Sequence, residues 1–475
     1  MTEQFVMAID IGSSSVRASL YDLQCESVPG TEFRVSRGFD SPVEGASEMA
    51  GIEAFDEVVS VIDGCLSNSE NVTGTISDVS ITCFWHSLVG LDKAGKPTTP
   101  VFGWADTRSG RYTEVLRREF DEVSIHNRVG AHFHSSFWPA KLLRLQHDEP
   151  DVWLRTTHWV SFSDYVFKQL TGRLETSVSM ASGTGLLDVR SGEWDEDLRK
   201  FVSISLEQLP RVTSGPARLN DRFAARWRRL ANAEIHIPIA DGVANSLGSS
   251  GPVPGRAALM LGTSGAVRVI FDGDPPDQIP RGLWCYRIDN KLFVLGGALS
   301  DGGNLIAKFS KGFAISHNLD QLIATARPSL DGPLVMPFYF GERSTGYHEN
   351  AQGAVYEGPA SGPAEILRTA MEGVAFRFAE ILDRLERVVT INEIVASGGA
   401  FDVLPVWARI ITDVLGRSLN LSCREEVTSR GAALFALGLV DETSGGEPLA
   451  VDPVNHTVYR KLRERHDAAY EQHFS

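Results

Sequence analysis

The feature that most constrains this chain is a pattern that occurs twice. Phe5-Val6-Met7-Ala8-Ile9-Asp10-Ile11 runs into Gly12-Ser13-Ser14-Ser15 and then Val16-Arg17-Ala18-Ser19-Leu20-Tyr21. Ala257-Ala258-Leu259-Met260-Leu261 runs into Gly262-Thr263-Ser264-Gly265 and then Ala266-Val267-Arg268-Val269-Ile270. Each reads as an apolar strand, a turn of small hydroxyl residues opening on Gly, and a second apolar strand, the signal of a β-hairpin. Their recurrence about half the chain apart points to two related units, each contributing one hairpin to a shared cleft. The loop with Gly251, Pro252, Pro254 and Gly255 separates them, which places the units at 1–250 and 251–475.

Between the hairpins, Gly110 to Phe120 and Pro139 to His147 carry apolar residues at helical spacing. Glu234 to Ala240 alternates with period two and reads as a strand, followed by a helix over Val243 to Ser250. The second unit continues with strands near Lys291 to Leu295 and Leu334 to Phe338. Helices are expected at Ala364 to Val388, Leu404 to Leu415 and Ser429 to Leu439. Strands alternating with helices in both units give an α/β class.

Composition narrows the function. With 43% hydrophobic residues in 475, the chain can bury a large core, and its net charge of −16 opposes general binding to nucleic acid or anionic membrane. Five dispersed cysteines (Cys25, Cys65, Cys83, Cys285, Cys423) without C-x-x-C form neither a zinc framework nor a disulfide scaffold, and suit a reducing compartment. The first residues lack a basic n-region, and no apolar run reaches the roughly 18 residues of a membrane span. A soluble, cytoplasmic protein is expected.

Backbone N–H groups in a tight Gly/Ser turn converge on a concavity that suits phosphate oxygens. An acid just before the Gly, as Asp10 is, can hold Mg²⁺ through water. There is no G-x-x-x-x-G-K-[ST], so a P-loop is excluded. One such turn is an ordinary hairpin; two in matching positions are harder to dismiss. Asp241 ends a strand and opens a helix at the sheet edge where α/β folds bind ligands. It reads either as a helix N-cap or as a general base over the cleft. Trp85-His86 and Trp104-Ala105-Asp106-Thr107-Arg108 set aromatic faces beside an acid, a base and a cation, as sugar sites do. The plainer alternative is two core tryptophans and a weak Asp106/Arg108 surface pair. His132 and His134 share a strand face but have no third ligand nearby, so no metal site is read there. Ser397-Gly398-Gly399-Ala400 joins a strand to a helix, either as a tight turn or as a close approach to a planar base.

Taken together, these segments resemble the FGGY carbohydrate kinases, within the actin-like/hexokinase-like ATPase fold, over nearly the whole chain. Asp10 to Arg17 is similar to the family's first phosphate motif and Gly262 to Gly265 to its second. Ala240 to Asn245 is similar to the segment bearing the catalytic aspartate, Trp104 to Arg108 to its W-x-D-x-R, and Lys141-Leu142 to its first signature. Ser397 to Ala400, Trp407, Asp413 and Glu425 to Ala433 are similar to its adenosine-binding region. Trp85 to Leu88, Asp241 to Asn245, Gly262 to Arg268, Gly296 to Asn304 and Phe338 to Tyr347 resemble the gluconate kinase branch more than xylulose or glycerol kinases. Two positions depart from related patterns. Phe84-Trp85-His86 stands where xylulose kinases carry Gln-Met-His, and Val403 where glycerol kinases carry Asn.

The resemblance implies two actin-like (ribonuclease H-like) domains with ATP and sugar between them. The implied reaction is phosphorylation of a terminal hydroxyl, most like gluconate to 6-phosphogluconate. Asp241 is the implied base, and Trp85, His86, Trp104, Asp106 and Arg108 the sugar site. Ser13, Ser14, Ser15, Arg17, Gly262, Thr263, Gly303, Gly399 and Ala400 are implied at the nucleotide, with Asp10 at Mg²⁺. His86 and Arg108, with Arg343 as a third, are the cations expected to select an anionic acceptor. The implied partners are ATP and a small sugar acid or sugar, with room for a homodimer. The rivals are a kinase of xylulose or another linear sugar or polyol and, in another class, an actin-like conformational ATPase. The Trp85-His86 and Trp104/Asp106/Arg108 cluster argues against the latter, which needs no sugar site.

Overall fold

In the computed structural model, two six-stranded sheets repeat one plan. It describes residues 3–474 except 316, 349, 357, 359–361, 423, 425 and 444, and the side chain of residue 473. Cys423 and Glu425 of the sequence reading therefore lie outside the described residues.

In the first sheet, β1 (Gln4–Ile11) and β2 (Ser15–Tyr21) form the antiparallel hairpin, and β3 (Phe33–Ser36) extends it antiparallel to β2. On the other side of β1, β4 (Thr75–Cys83) runs parallel to it. Two short strands, β5 (Glu234–Ile235) and β6 (Ile239–Ala240), pair in parallel with β4.

The second sheet copies this plan. Strands β7 (Arg256–Leu261) and β8 (Gly265–Asp272) are the hairpin. Beyond β8 come β10 (Leu292–Leu299) and β9 (Trp284–Arg287), both antiparallel. Beyond β7 come β11 (Glu393–Ser397) and β12 (Asn420–Leu421), both parallel. A hairpin flanked by a parallel strand puts both glycine turns at the carboxyl edge of the parallel strands, where α/β sheets bind ligands.

The expected strand Glu234 to Ala240 is broken. Pro238 has no N–H to give a ladder, so His236 makes one bond to Val79 and pairing resumes only at Ile239. Helix α2 (Asp241–Ser249) begins two residues earlier than expected, at Asp241 itself. The residue is therefore inside the first turn rather than the N-cap, which is Ala240.

The two halves by sequence are not cleanly separate in space. Helix α5 (Val427–Leu437), late in the chain, packs its Ala432, Ala433 and Leu434 into the core of the first sheet. Ser80 of β4 donates to the Ala432 carbonyl at 2.7 Å. Helices α2 and α5 cross with almost no separation. A Cβ on Gly248 would lie 1.8 Å from the Val427 carbonyl oxygen, and one on Gly431 1.8 Å from that of Ala244. Only glycine allows that approach. The second core is built on α3 (Pro363–Leu385) and α4 (Pro405–Leu415) against β7, β8 and β10. No described helix is long and apolar enough to cross a membrane. The four described cysteines are buried and free.

Candidate active site

The first turn is closed by Gly12 N–H donating to the Ser15 carbonyl at 2.9 Å, and Arg37 Nε holds the Gly12 carbonyl at 3.0 Å. Ser14 is exposed at the tip. Asp10 and Arg17 face each other across the hairpin. The Arg17 Nε and Nη2 both donate to Asp10 Oδ2, at 3.0 and 2.9 Å, and Arg17 also pairs with Glu426 ahead of α5. Arg17 is thus committed to two carboxylates, while Asp10 Oδ1 stays outside this fork.

In the second turn Gly262 N–H donates to the Ser264 carbonyl at 2.9 Å, leaving Thr263 exposed. The segment after β10 folds onto this turn: Gly303 N–H donates to the Gly262 carbonyl at 2.8 Å and Asn304 N–H to that of Thr263 at 3.1 Å. A Cβ on Gly302 would strike Ser264. Gly398, at φ +120°, lets the chain turn against Leu261, and Gly399 and Ala400 then open a four-residue helix that ends at the 72%-exposed Val403. Trp407 and Asp413 do not face this turn. Trp407 is fully buried and donates to the Met371 carbonyl, and Asp413 is buried and accepts from Asp452 N–H. Both are framework residues, because α4 turns its apolar face inward.

Asp241 opens α2, within electrostatic reach of Asp10 ahead of the first turn and of Arg268 from the second hairpin. Its Oδ1 accepts from Gly242 N–H at 2.6 Å. Burial pushes its carboxyl up to about 7, helped by repulsion from Asp10 and opposed by Arg268. Arg268 comes from β8 in the second half. A Cβ on Gly242 would lie 3.0 Å from its guanidinium, and its Nε and Nη1 have no partner among the described residues. Burial lowers Arg268 to about 10.

Trp85 lies beneath α2. Its Nε1 donates to the Ser179 carbonyl, and its ring meets Trp284 and Tyr286 of the second half edge-on at 5.6 and 5.1 Å. His86, in the left-handed region at φ +67°, hydrogen-bonds the Gly183 carbonyl through Nδ1. A carbonyl only accepts, so Nδ1 carries the proton and Nε2 is the acceptor. That Nε2 receives Arg343 Nη2 at 3.2 Å. Burial, then Arg343, push His86 well below the usual imidazole range. His86 is therefore neutral and cannot be the cation expected of it.

Arg108 is likewise unavailable as a free cation. Its Nε donates to Asp106 Oδ2 at 3.0 Å, its Nη2 to the same oxygen at 2.5 Å and to Glu48 at 2.6 Å. Asp106 is only 1% exposed and also accepts from Ser47 N–H, so this is a buried fork rather than a surface pair. Trp104 stays partly exposed with the Arg343 guanidinium 5.3 Å from its ring centre.

The sequence reading assigned Lys141 no task beyond a signature. Its buried ammonium donates to the carbonyls of His86, Gly103 and Ser136 at 2.8–2.9 Å. Burial lowers it to about 7, yet three carbonyls need three N–H donors, which only the charged form has. Lys141 thus ties together the segments that carry His86, Trp104 and Ser136. The cue in sequence was a Lys between apolar residues in the first turns of α1 (Trp138–Asp148).

His132 and His134 serve packing. His132 stacks on His126 at 3.9 Å and accepts from Gly282 N–H, and His134 Nδ1 meets Ser136. Among the described residues the one metal-competent cluster, Asp78/Glu234/His236, lies on the first sheet's β4–β5 edge and includes neither histidine. Two large cavities, of about 950 and 1060 Å³, are lined by neither Asp10, Thr263 nor Asp241. The two halves are in direct contact where Trp85 and His86 meet Trp284, Tyr286 and Arg343.

Residues 5–246 match the N-terminal domain of the FGGY family of carbohydrate kinases, and residues 257–438 its C-terminal domain. The chain is 24% identical to a gluconokinase of Bacillus subtilis over 95% of its length and 91% of that protein's. It is also 24% identical to a xylulose kinase of Lactococcus lactis, over 92% and 90%. The ligand-bound xylulose kinase structure from Lactobacillus acidophilus superposes with a TM-score of 0.89 at 22% identity, covering 99% and 98% of the two chains. That likeness concerns the fold. The conformational-ATPase rival falls away with the family match, since the reaction class is phosphoryl transfer to an alcohol. Two domain matches in order, covering both glycine hairpins and the carboxylate between them, make the chain a member of the FGGY carbohydrate kinases.

Proposed function

We propose that the acceptor is D-gluconate, phosphorylated on its terminal hydroxyl to 6-phospho-D-gluconate, with ATP as donor and Mg²⁺ as the accompanying ion. The observation that carries the chemistry is Asp241: a carboxyl within electrostatic reach of both hairpins whose acidity is weakened to near neutral. Gluconate is favoured by the near full-length similarity to a gluconokinase.

In this reading the two turns bracket the phosphates with backbone N–H groups, and Ser13, Ser14, Ser15 and Thr263 add hydroxyl donors. Gly303, Gly399 and Ala400 form the wall on the adenosine side. Asp10 suits Mg²⁺, which takes one or two carboxylates plus phosphate and water oxygens: Oδ2 is held by Arg17, leaving Oδ1 for a water of the ion's shell. The ion, when bound, neutralises phosphate charge. Asp241 accepts the proton of the acceptor hydroxyl as that oxygen bonds to the γ-phosphorus and the bond to the leaving ADP oxygen breaks. Because the transition state is loose, positioning and charge stabilisation do most of the work. Trp85 and Trp104 offer faces to the C–H side of the sugar chain, and Asp106 is held by Arg108 and Ser47.

A second reading, a xylulose kinase, is favoured by the Lactococcus lactis relative. A panel of gluconate, xylulose, ribulose, erythritol and glycerol, compared by kcat/KM, separates the two. Gluconate should lead; a higher kcat/KM for xylulose or a polyol would overturn the acceptor while leaving the kinase intact.

A further inference from the structure

The basic groups of the first half near the sugar side are already satisfied. Arg108 is forked onto Asp106 and Glu48, Lys141 onto three carbonyls, Arg17 onto Asp10 and Glu426, and His86 is neutral. An anionic acceptor would find no unpaired charge there.

Arg343 differs. It arrives from the second half, crosses to the first, and touches neutral groups only: His86 Nε2 at 3.2 Å and the Trp104 ring at 5.3 Å. No ion pair of Arg343 occurs among the described residues. The acid beside it in sequence is taken, since Glu342 accepts from Arg377 at 2.8 Å and from Tyr470 at 2.7 Å. Ser344, on its other side, is tied to Ala298 of β10 in both directions. The loop is therefore rigid and presents the guanidinium into the seam. A second guanidinium, Arg268, whose Nε and Nη1 lack a partner among the described residues, faces the same seam, and each repels the other. Asp241 is the acid that both feel, and its single carboxyl, itself weakened to about 7, leaves room for a bound anion beside Arg343. Beside Arg343 a cavity of about 30 Å³, lined in part by Trp104, His134 and Ser136, extends the seam.

We infer that Arg343 is the specificity-determining residue for the acceptor, gripping the carboxylate of a linear sugar acid at the end remote from the hydroxyl that reacts at Asp241. His86 orients it: a neutral imidazole with its proton on Nδ1 can only accept from the arginine, which fixes one edge of the fork and leaves the other for a carboxylate. The inference rests on the gluconate reading and deepens it. It also assigns acceptor choice to the second half, so only the closed arrangement of the domains recognises the acid.

The test compares gluconate with D-glucitol, the same chain carrying a neutral CH₂OH in place of the carboxylate, on wild type, Arg343→Gln and Arg343→Lys. Arg343→Gln should raise KM for gluconate about 10- to 100-fold, the worth of a charge-assisted hydrogen bond. KM for ATP and for glucitol should stay within about twofold, a loss of ground-state binding to one ligand alone. Arg343→Lys, which keeps the charge but not the fork, should fall between. Equal rises for gluconate and glucitol, or no rise for gluconate, would overturn the role of Arg343. If Arg343→Gln does not fold, the Arg343→Lys comparison decides by the same two criteria. A wild-type preference for glucitol or xylulose over gluconate would instead sink the acceptor reading itself, so the two failures are distinguishable.

Discussion

The two hairpins share strand order and a glycine turn, four residues long in the first and three in the second, but their electrostatics are opposite. In the first, the strand leading into the turn carries Asp10, and the Arg17 across from it is neutralised by Asp10 and Glu426. In the second, the corresponding strand is uncharged near the turn, and Arg268 on the outgoing strand is buried with no ion pair among the described residues, feeling only Asp241 of the first half. The same contrast holds beyond the hairpins, with Arg108 forked onto acids in the first half and Arg343 resting on neutral rings in the second. A repeated backbone frame thus does not repeat its chemistry. Arg17 and Arg108 of the first half are matched by carboxylates, whereas Arg268 and Arg343 of the second form no ion pair among the described residues. Asp241, at the junction, takes its acidity from both.

The comparison breaks most visibly at Asp241. Asp241→Asn should lower kcat by about 10²–10⁴-fold, the usual share of a general base, with ATP affinity retained by titration. A variant with normal turnover would mean that neither half delivers its charge to this carboxyl.

A next-smaller effect is in pH. Asp241 works ionised, and its carboxyl is raised to about 7, so kcat/KM should fall as pH drops through about 7 and level off above it. Arg268 opposes that rise. Arg268→Met removes the opposition, so the acid limb should move to higher pH. A limb that stays in place in the variant would show that the second hairpin's charge does not reach the first half's base.

The smallest effect sharpens the contrast between the two arginines. Arg108 is occupied by Asp106 and Glu48, so Arg108→Gln should change KM for gluconate and for glucitol by the same factor. A selective loss of gluconate binding would transfer the specificity role from Arg343 back to the first half.

Much of the frame was legible because it is local. A strand, a glycine turn and a strand need only neighbouring residues to form, and so both hairpins could be read directly. The strand expected over 234–240 from its alternation is interrupted at Pro238, whose missing N–H breaks pairing with β4. Trp407 and Asp413 were misplaced since a family motif does not state which face of a helix turns inward. Lys141 was passed over because three carbonyls from three separate segments meet it only after folding.

By itself the sequence determined the duplicated α/β frame and the two glycine turns at matching strand ends. Which charges are free was decided by tertiary structure alone. Glu48 closes on Arg108 across 60 positions of chain, and Gly183 holds the proton of His86 from 97 positions away. Arg343 reaches His86 across 257. The physical reason is that a side chain's charge is set by its nearest partners and its access to water. In a folded chain both are supplied by residues that lie far apart in sequence.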